Sequence, residues 1–398
     1  MTYDNKSQNE ESTDPTETLD TIESWDDLPD VKMLLLRGIY AHGFESPSPI
    51  QKKAILPLFE GKDIIAQAQS GTGKTGCFTI GILQRINTDE ERTQALILSP
   101  TRELSFQTKR VIDAIGTMIP NLRTQLLIGG TSTEEDIRLL EQYPPHVAIG
   151  CTGRVQDMLR RKRLKIDNLK IIVVDEADEM FSYGFKDQIY SIFQYLSNDV
   201  QVALFSATMP NELNVLTEKF MRTPVKILVK AESLTLEGIS QYYVALETDD
   251  HKYEALKDLY SIISVSQCII YCNTVKRVQD LYEAMTQDEF PVCRIHSNME
   301  KNERHANYID FTSGKMRVLI SSDITARGID VQQVSTVINF DVPRDVHSYL
   351  HRIGRSGRWG RKGMGINFVT KYDTRYLKDI ETYYHTEISE LPESVVAK

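Results

Sequence analysis

From residue 31 onward, short apolar runs rich in Ile and Val alternate with longer stretches whose apolar positions recur every three or four residues. A short run bounded by polar residues predicts a strand buried on both faces, and the longer stretches predict helices with one apolar stripe. In the first half, strands are expected at residues 63–67, 95–99, 124–128, 147–150, 171–174 and 202–206. The alternation pauses at residues 230–238, a polar stretch read as a linker. It resumes with strands at 241–246, 268–272, 292–295, 318–321, 336–340 and 365–369. Such alternation builds a mostly parallel sheet flanked by helices. The expected fold class is α/β with two such domains in tandem, residues 23–229 and 239–398, joined by the linker and preceded by a tail over residues 1–22.

In open α/β sheets, ligands bind beyond the carboxyl ends of the strands. The first expected strand runs into Ala68-Gln69-Ser70-Gly71-Thr72-Gly73-Lys74-Thr75. Two glycines let backbone N–H groups face a phosphate chain, Lys74 would neutralise it, and the Thr75 hydroxyl would ligate magnesium. Ala68 stands where the usual pattern has its first glycine. The strand at 171–174 ends in Asp175-Glu176-Ala177-Asp178. Asp175 is suited to hold magnesium through water and Glu176 to orient and deprotonate an attacking water, while Asp178 points to coupling with other loops. Together these are the two halves of a nucleoside-triphosphate site.

A third cluster is His351-Arg352-Ile353-Gly354-Arg355-Ser356-Gly357-Arg358. Arginines at every third position among glycines suit the stabilisation of a transferring phosphoryl group, or alternatively a phosphodiester backbone. Ser206 and Thr208 follow a strand with no histidine beside them, so a polar relay suits them better than nucleophilic chemistry. Pro100-Thr101-Arg102-Glu103 and Gly129-Gly130-Thr131 carry groups fit for phosphate, although Thr101 equally fits a helix cap. The second half has no second phosphate loop: residues 273–276, after the strand at 268–272, contain no glycine.

Charge first argues against nucleic acid, since the chain carries −10 at pH 7. Residues 1–30 hold ten acids and one base, however, leaving a net −1 over the other 368 residues. The acidity belongs to a polar tail whose composition cannot offset its own ordering entropy. Five cysteines, at 77, 151, 268, 272 and 293, lie among apolar neighbours and read as reduced thiols. No apolar run approaches the length of a membrane span, so no membrane role is expected.

Taken in order, these segments resemble the DEAD-box RNA helicases, from about Trp25 to the C-terminus, and within that family the initiation-factor 4A branch and its nuclear paralogues. Residues 43–51, from Gly43 to Gln51, resemble the family's adenine-reading segment. The resemblance implies two RecA-like domains, ATP and Mg2+ as cofactors, and RNA-stimulated ATP hydrolysis coupled to local unwinding. It implies RNA and an initiation-factor scaffold or other RNA-processing proteins as partners of a monomer in the cytoplasm, or in the nucleus for a paralogue. ATP would meet Trp25, Phe44, Gln51, Ser70, Gly71, Thr72, Gly73, Lys74, Thr75, Gly328 and Asp330. Arg355 and Arg358 would reach the γ-phosphate, with Asp178, Ser206, Thr208 and His351 coupling the sites. RNA would be gripped by Arg102, Gly130, Thr152 and Arg154 on one domain and by Arg304, Ser322 and Asp323 on the other. Some positions depart from the family: Cys151-Thr152-Gly153-Arg154 for Thr-Pro-Gly-Arg, Ser297-Asn298 for Gly-Asp, and Lys301 for Gln. Two rival classes are an ATP-locked RNA scaffold and a DNA translocase or unrelated phosphate-loop NTPase.

Overall fold

The computed structural model describes residues 20–68, 71–182, 184–209, 211–228, 239–262, 267–323, 334–356 and 363–392. Two seven-stranded sheets form its frame, and every strand pairing is parallel. The first holds β1 (Ile64–Gln67), β2 (Ala95–Leu98), β3 (Thr124–Leu127), β4 (Val147–Gly150), β5 (Ile171–Val174), β6 (Gln201–Ser206) and β7 (Val225–Leu228). The second holds β8 (Ile239–Ala245), β9 (Gln267–Cys272), β10 (Val292–Ile295), β11 (Val318–Ser322), β12 (Val334–Asn339), β13 (Gly363–Val369) and β14 (Ser389–Glu390). Their spatial orders are β3-β4-β2-β5-β6-β1-β7 and β10-β11-β9-β12-β13-β8-β14.

Around the first sheet pack α1 (Met33–Ala41), α2 (Pro49–Phe59), α3 (Lys74–Arg85), α4 (Arg102–Ile115), α5 (Thr133–Gln142), α6 (Thr152–Arg160), α7 (Ala177–Ser182), α8 (Lys186–Phe193) and α9 (Asn211–Phe220). Around the second pack α10 (His251–Ile262), α11 (Val275–Gln287), α12 (Lys301–Thr312), α13 (Val346–Ile353) and α14 (Thr374–Tyr384).

β5 shows why the apolar runs become central strands. Ile171 and Val173 enter one core cluster while Ile172 and Val174 enter the cluster on the opposite face. Side chains alternate across a strand, so a sheet covered on both faces needs apolar residues at every position. β9 does the same in the second sheet, with Ile269 and Tyr271 on one side and Cys268, Ile270 and Cys272 on the other. All five cysteines are free thiols, and burial pushes those of Cys77, Cys151, Cys268, Cys272 and Cys293 upward, away from reactivity.

Two strands escaped the reading of the sequence, β7 and β14, both at the β1/β8 side of their sheets. The linker at 230–238 and most of the acidic tail lie outside the described residues. Ile22 is already buried, and its N–H donates to the Lys52 carbonyl at 3.2 Å, so packing begins inside the segment expected to be tail.

Candidate active site between the domains

β1 feeds the phosphate-loop sequence, and Lys74 opens α3 with Gly73 as its N-cap at φ 97°. Gly71 has φ 84°, so both glycines use the left-handed conformation open to them. Gly73 also lacks room for a side chain, since a Cβ there would lie 2.8 Å from Gln51 Nε2. Gln51 is buried in α2. Its Nε2 donates to the Gly73 carbonyl at 3.1 Å while its Oε1 accepts the Ser48 N–H at 2.8 Å. The glutamine expected to read a base thus braces the loop. Phe44 leans on the same turn, 2.6 Å from where a Gly76 Cβ would stand.

Trp25, expected to meet ATP, has no exposed surface. Its ring stacks 6.3 Å from that of Phe44, and its Nε1 donates to the Phe44 carbonyl at 2.9 Å. Trp25 supports Phe44 from behind, and Phe44 is the aromatic left partly exposed.

The carboxylates that end β5 face this loop. Lys74 Nζ lies 3.1 Å from Glu176 Oε2, and each side chain is 5% exposed. Glu176 adopts φ 49°, a conformation that costs a non-glycine residue energy and is held by its surroundings. Burial, then the Glu176 charge, pushes the Asp175 carboxyl up to about 7. Burial also acts against the charge of Glu176, yet Lys74, with His351 and Arg355 beyond it, holds that carboxyl below the usual range. Lys74 is raised in turn: its burial opposes the charge, and Glu176, Asp175 and Asp178 outweigh it.

Asp178 turns the other way. Its N–H donates to Ser206 Oγ at 3.2 Å, and its Oδ2 accepts the N–H and hydroxyl of Thr208 at 2.9 and 2.7 Å. His351, at the end of α13 in the second domain, places Nε2 3.6 Å from Asp178 and Nδ1 3.5 Å from Glu179. Burial is again outweighed, here first by the hydrogen bond and charge of His351, so Asp178 stays far below the ordinary carboxylate range. Glu179 was not expected here. Arg355 is buried beside this group, its Nε donating to the His351 carbonyl at 2.9 Å. Ser70, Gly328, Asp330 and Arg358 lie outside the described residues.

The residues expected at RNA divide into two sets. Arg102 and Gly130 sit together at the rim: a Cβ on Gly130 (φ 101°) would be 3.1 Å from Arg102 Nη1 and 2.4 Å from Lys301 Cδ of the other domain. Ser322 ends β11 partly exposed. The others spend their polar groups within the protein. Thr152, 2% exposed, donates its hydroxyl to Gln188. Arg154 pairs with Asp136 and donates to the Thr131 carbonyl at 2.9 Å. Asp323 receives both Nε and Nη2 of Arg352. Arg304 grips Glu103 with two bonds, Nε to Oε1 at 2.8 Å and Nη2 to Oε2 at 2.6 Å, across the two domains. Glu103, in the first turn of α4 behind the Thr101 cap, looks in the sequence like an ordinary helix-start acid.

A two-domain fold with a phosphate loop facing a carboxylate strand end, and a second-domain helix reaching those carboxylates, defines a nucleotide-driven machine, and the chain belongs to the DEAD/DEAH box helicase family. That family's profile matches residues 48–216, and the helicase conserved C-terminal domain matches residues 251–360. Eukaryotic initiation factor 4A of Caenorhabditis elegans is 53% identical over 374 residues, covering 94% of this chain and 92% of that protein. Eukaryotic initiation factor 4A-III homolog B of Oryza sativa subsp. japonica is 51% identical over 377 residues, covering 95% and 93%. Among solved structures, S. cerevisiae Dbp5 bound to RNA and ADP BeF3 superposes with a TM-score of 0.88 at 33% identity, covering 95% of this chain and all of that one.

Proposed function

We propose that this chain is an ATP-dependent RNA helicase that works as a two-domain clamp, in translation initiation. The observation that carries the reading is the joining of both domains at one site: Lys74 on Glu176, with His351 and Arg355 from the second domain beside Asp178 and Glu176. ATP would take Lys74 from Glu176 and leave that carboxylate to orient water, while Arg355 meets the charge that develops on the γ-phosphate. Among the described residues no three metal-ligating side chains converge. A buried Asp175 with Glu176 beside it is nonetheless a site where a divalent cation relieves unfavourable charge, and magnesium would sit there through water and phosphate oxygens, near Thr75. RNA would run along Arg102, Gly130 and Ser322, contacted through its backbone with little sequence preference. Curated relatives named as ATP-dependent RNA helicases and initiation factors support the assignment.

The deciding experiment measures ATP turnover with and without single-stranded RNA, alongside separation of a short RNA duplex. RNA-stimulated turnover lost in Lys74→Ala supports the proposal; turnover insensitive to RNA but raised by DNA overturns it. A second reading, an RNA clamp serving nuclear RNA processing, draws on the Glu103–Arg304 contact, which favours a long-lived closed state. Slow release of RNA with negligible duplex separation would select it.

A further inference from the structure

A cavity of about 800 Å³ opens at the carboxyl edge of the second sheet, and none of the cleft residues described above lines it. It is walled by the turns after β8, β9, β12 and β13. The two sheets share one strand order once β8 is set against β1. β9, β12 and β13 then correspond to β2, β5 and β6. The cavity therefore occupies, in the second domain, the place that the phosphate loop, Asp175 and Ser206 occupy in the first.

The correspondence extends to side chains. Lys252, in the first turn of α10 and 2% exposed, holds its Nζ 3.1 Å from Asp341 Oδ1, just after β12. Lys74, which opens α3, makes the same 3.1 Å contact with Glu176, just after β5. The phosphate loop itself is not repeated: Thr248-Asp249-Asp250 replaces the glycines, and the carbonyls of Thr248 and Asp249 take the N–H groups of His251 and Lys252. Two acids in place of the glycines, with the His251 and Lys252 amides spent on those carbonyls, oppose a triphosphate gripped at this helix start.

Cationic groups come instead from the turns after β12 and β13. Arg344, Lys371 and Arg375 are exposed, and none is in an ion pair among the described residues. Aromatic faces accompany them. Tyr372 is 74% exposed with Lys371 Nζ 5.1 Å from its ring centre, and Arg375 lies 4.5 Å over Tyr376. Guanidinium forks beside open aromatic rings in a cavity of this size match a phosphate joined to a flat base.

We propose that this cavity binds a nucleoside phosphate, with the phosphate on Arg344 and Arg375 and the base on Tyr372. The ligand is either a free nucleotide or a nucleotide of an RNA strand, which present the same chemistry. The test uses the full chain carrying Lys74→Ala, so that the cleft competes less, and photo-crosslinks it separately with 8-azido-ADP and with an oligouridylate containing 4-thiouridine. Mass spectrometry is expected to find the label within residues 371–376, competed by unlabelled ADP or oligomer and reduced at least tenfold by Arg344→Glu with Arg375→Glu. Labelling by the azide assigns the free nucleotide, and labelling by thiouridine assigns RNA. Absence of label from that segment with both probes, or label indifferent to competitor or to charge reversal, overturns the proposal and leaves the cleft assignment untouched.

Discussion

Lys74 spends its charge on Glu176, the group expected to activate water, so a nucleotide must take over the lysine before the carboxylate is free. In Glu176→Gln, turnover should fall at least about a hundredfold while ADP binds roughly three to ten times more tightly, because the competing carboxylate is gone. Lys74→Ala should lose both, and steady-state ATPase beside ADP titration separates the two variants. Asp175 gives a pH-dependent companion. Its carboxyl is raised in the folded chain, so its ionisation opposes folding fully above about pH 7, and the cost fades as pH falls from 7 toward 4. Asp175→Asn should therefore raise the Tm of the nucleotide-free protein at pH 8, by roughly 2–4 °C per kcal/mol relieved, with a smaller gain at pH 5 and no ATPase at either. Thermal melts at the two pH values check it. Lys74, Asp175 and Glu176 were legible in the sequence because a strand entering a glycine loop or a carboxylate run is a local pattern. The inward commitments of Thr152, Arg154 and Asp323 were not, since each depends on a partner from elsewhere in the fold.

Among the elements, most strands legible from sequence are buried on both faces, as β2, β4 and β5 are, where an unbroken apolar run leaves no ambiguity of period; β3 and β8 were legible though only partly buried. β4, β5 and β10 fall at their expected bounds. β7 is a four-residue edge strand with Lys226 in its middle, and β14 has only two residues, too few for any periodicity to register. Helix packing was invisible for a related reason: it depends on which small residues face a neighbour. Gly38 in α1 is the sharpest instance, because a Cβ there would lie 1.9 Å from the Ile115 carbonyl oxygen at the end of α4. A backbone atom cannot rotate away, so Gly38→Ala should destabilise the first domain by about 1–3 kcal/mol. Urea unfolding of wild type and variant measures this, and an unchanged midpoint would show that α1 is free to slide.

Across the whole molecule, the two sheets were legible as a repeat, whereas the contacts that close one domain on the other were not. Arg304, expected at RNA, bonds Glu103 of the other domain, while Phe106 and His305 bring rings to 5.1 Å across the same seam. Both members of the charge pair are mostly shielded from water, so breaking it leaves an uncompensated charge. Arg304→Glu should shift the ligand-free chain toward open forms, and Glu103→Arg added to it should restore closure. Fluorescence energy transfer between dyes on the two domains reports the distance, and a double variant as open as the single one would show that the pair does not hold the seam.

That contact bears on cooperativity. In the proposed clamp, RNA and nucleotide each favour the same closed arrangement, and reciprocity then requires each to raise the other's affinity by one common factor. The factor is largest when the empty protein is mostly open, because the first ligand then bears a closing cost that the second is spared. By holding the seam without either ligand, Glu103 and Arg304 raise the apparent affinity for each ligand alone and shrink their mutual enhancement. The Arg304→Glu chain should thus bind RNA and nucleotide more weakly one at a time, yet respond more steeply to the pair together. The strength of a single interdomain ion pair sets how strictly this machine demands both of its ligands at once.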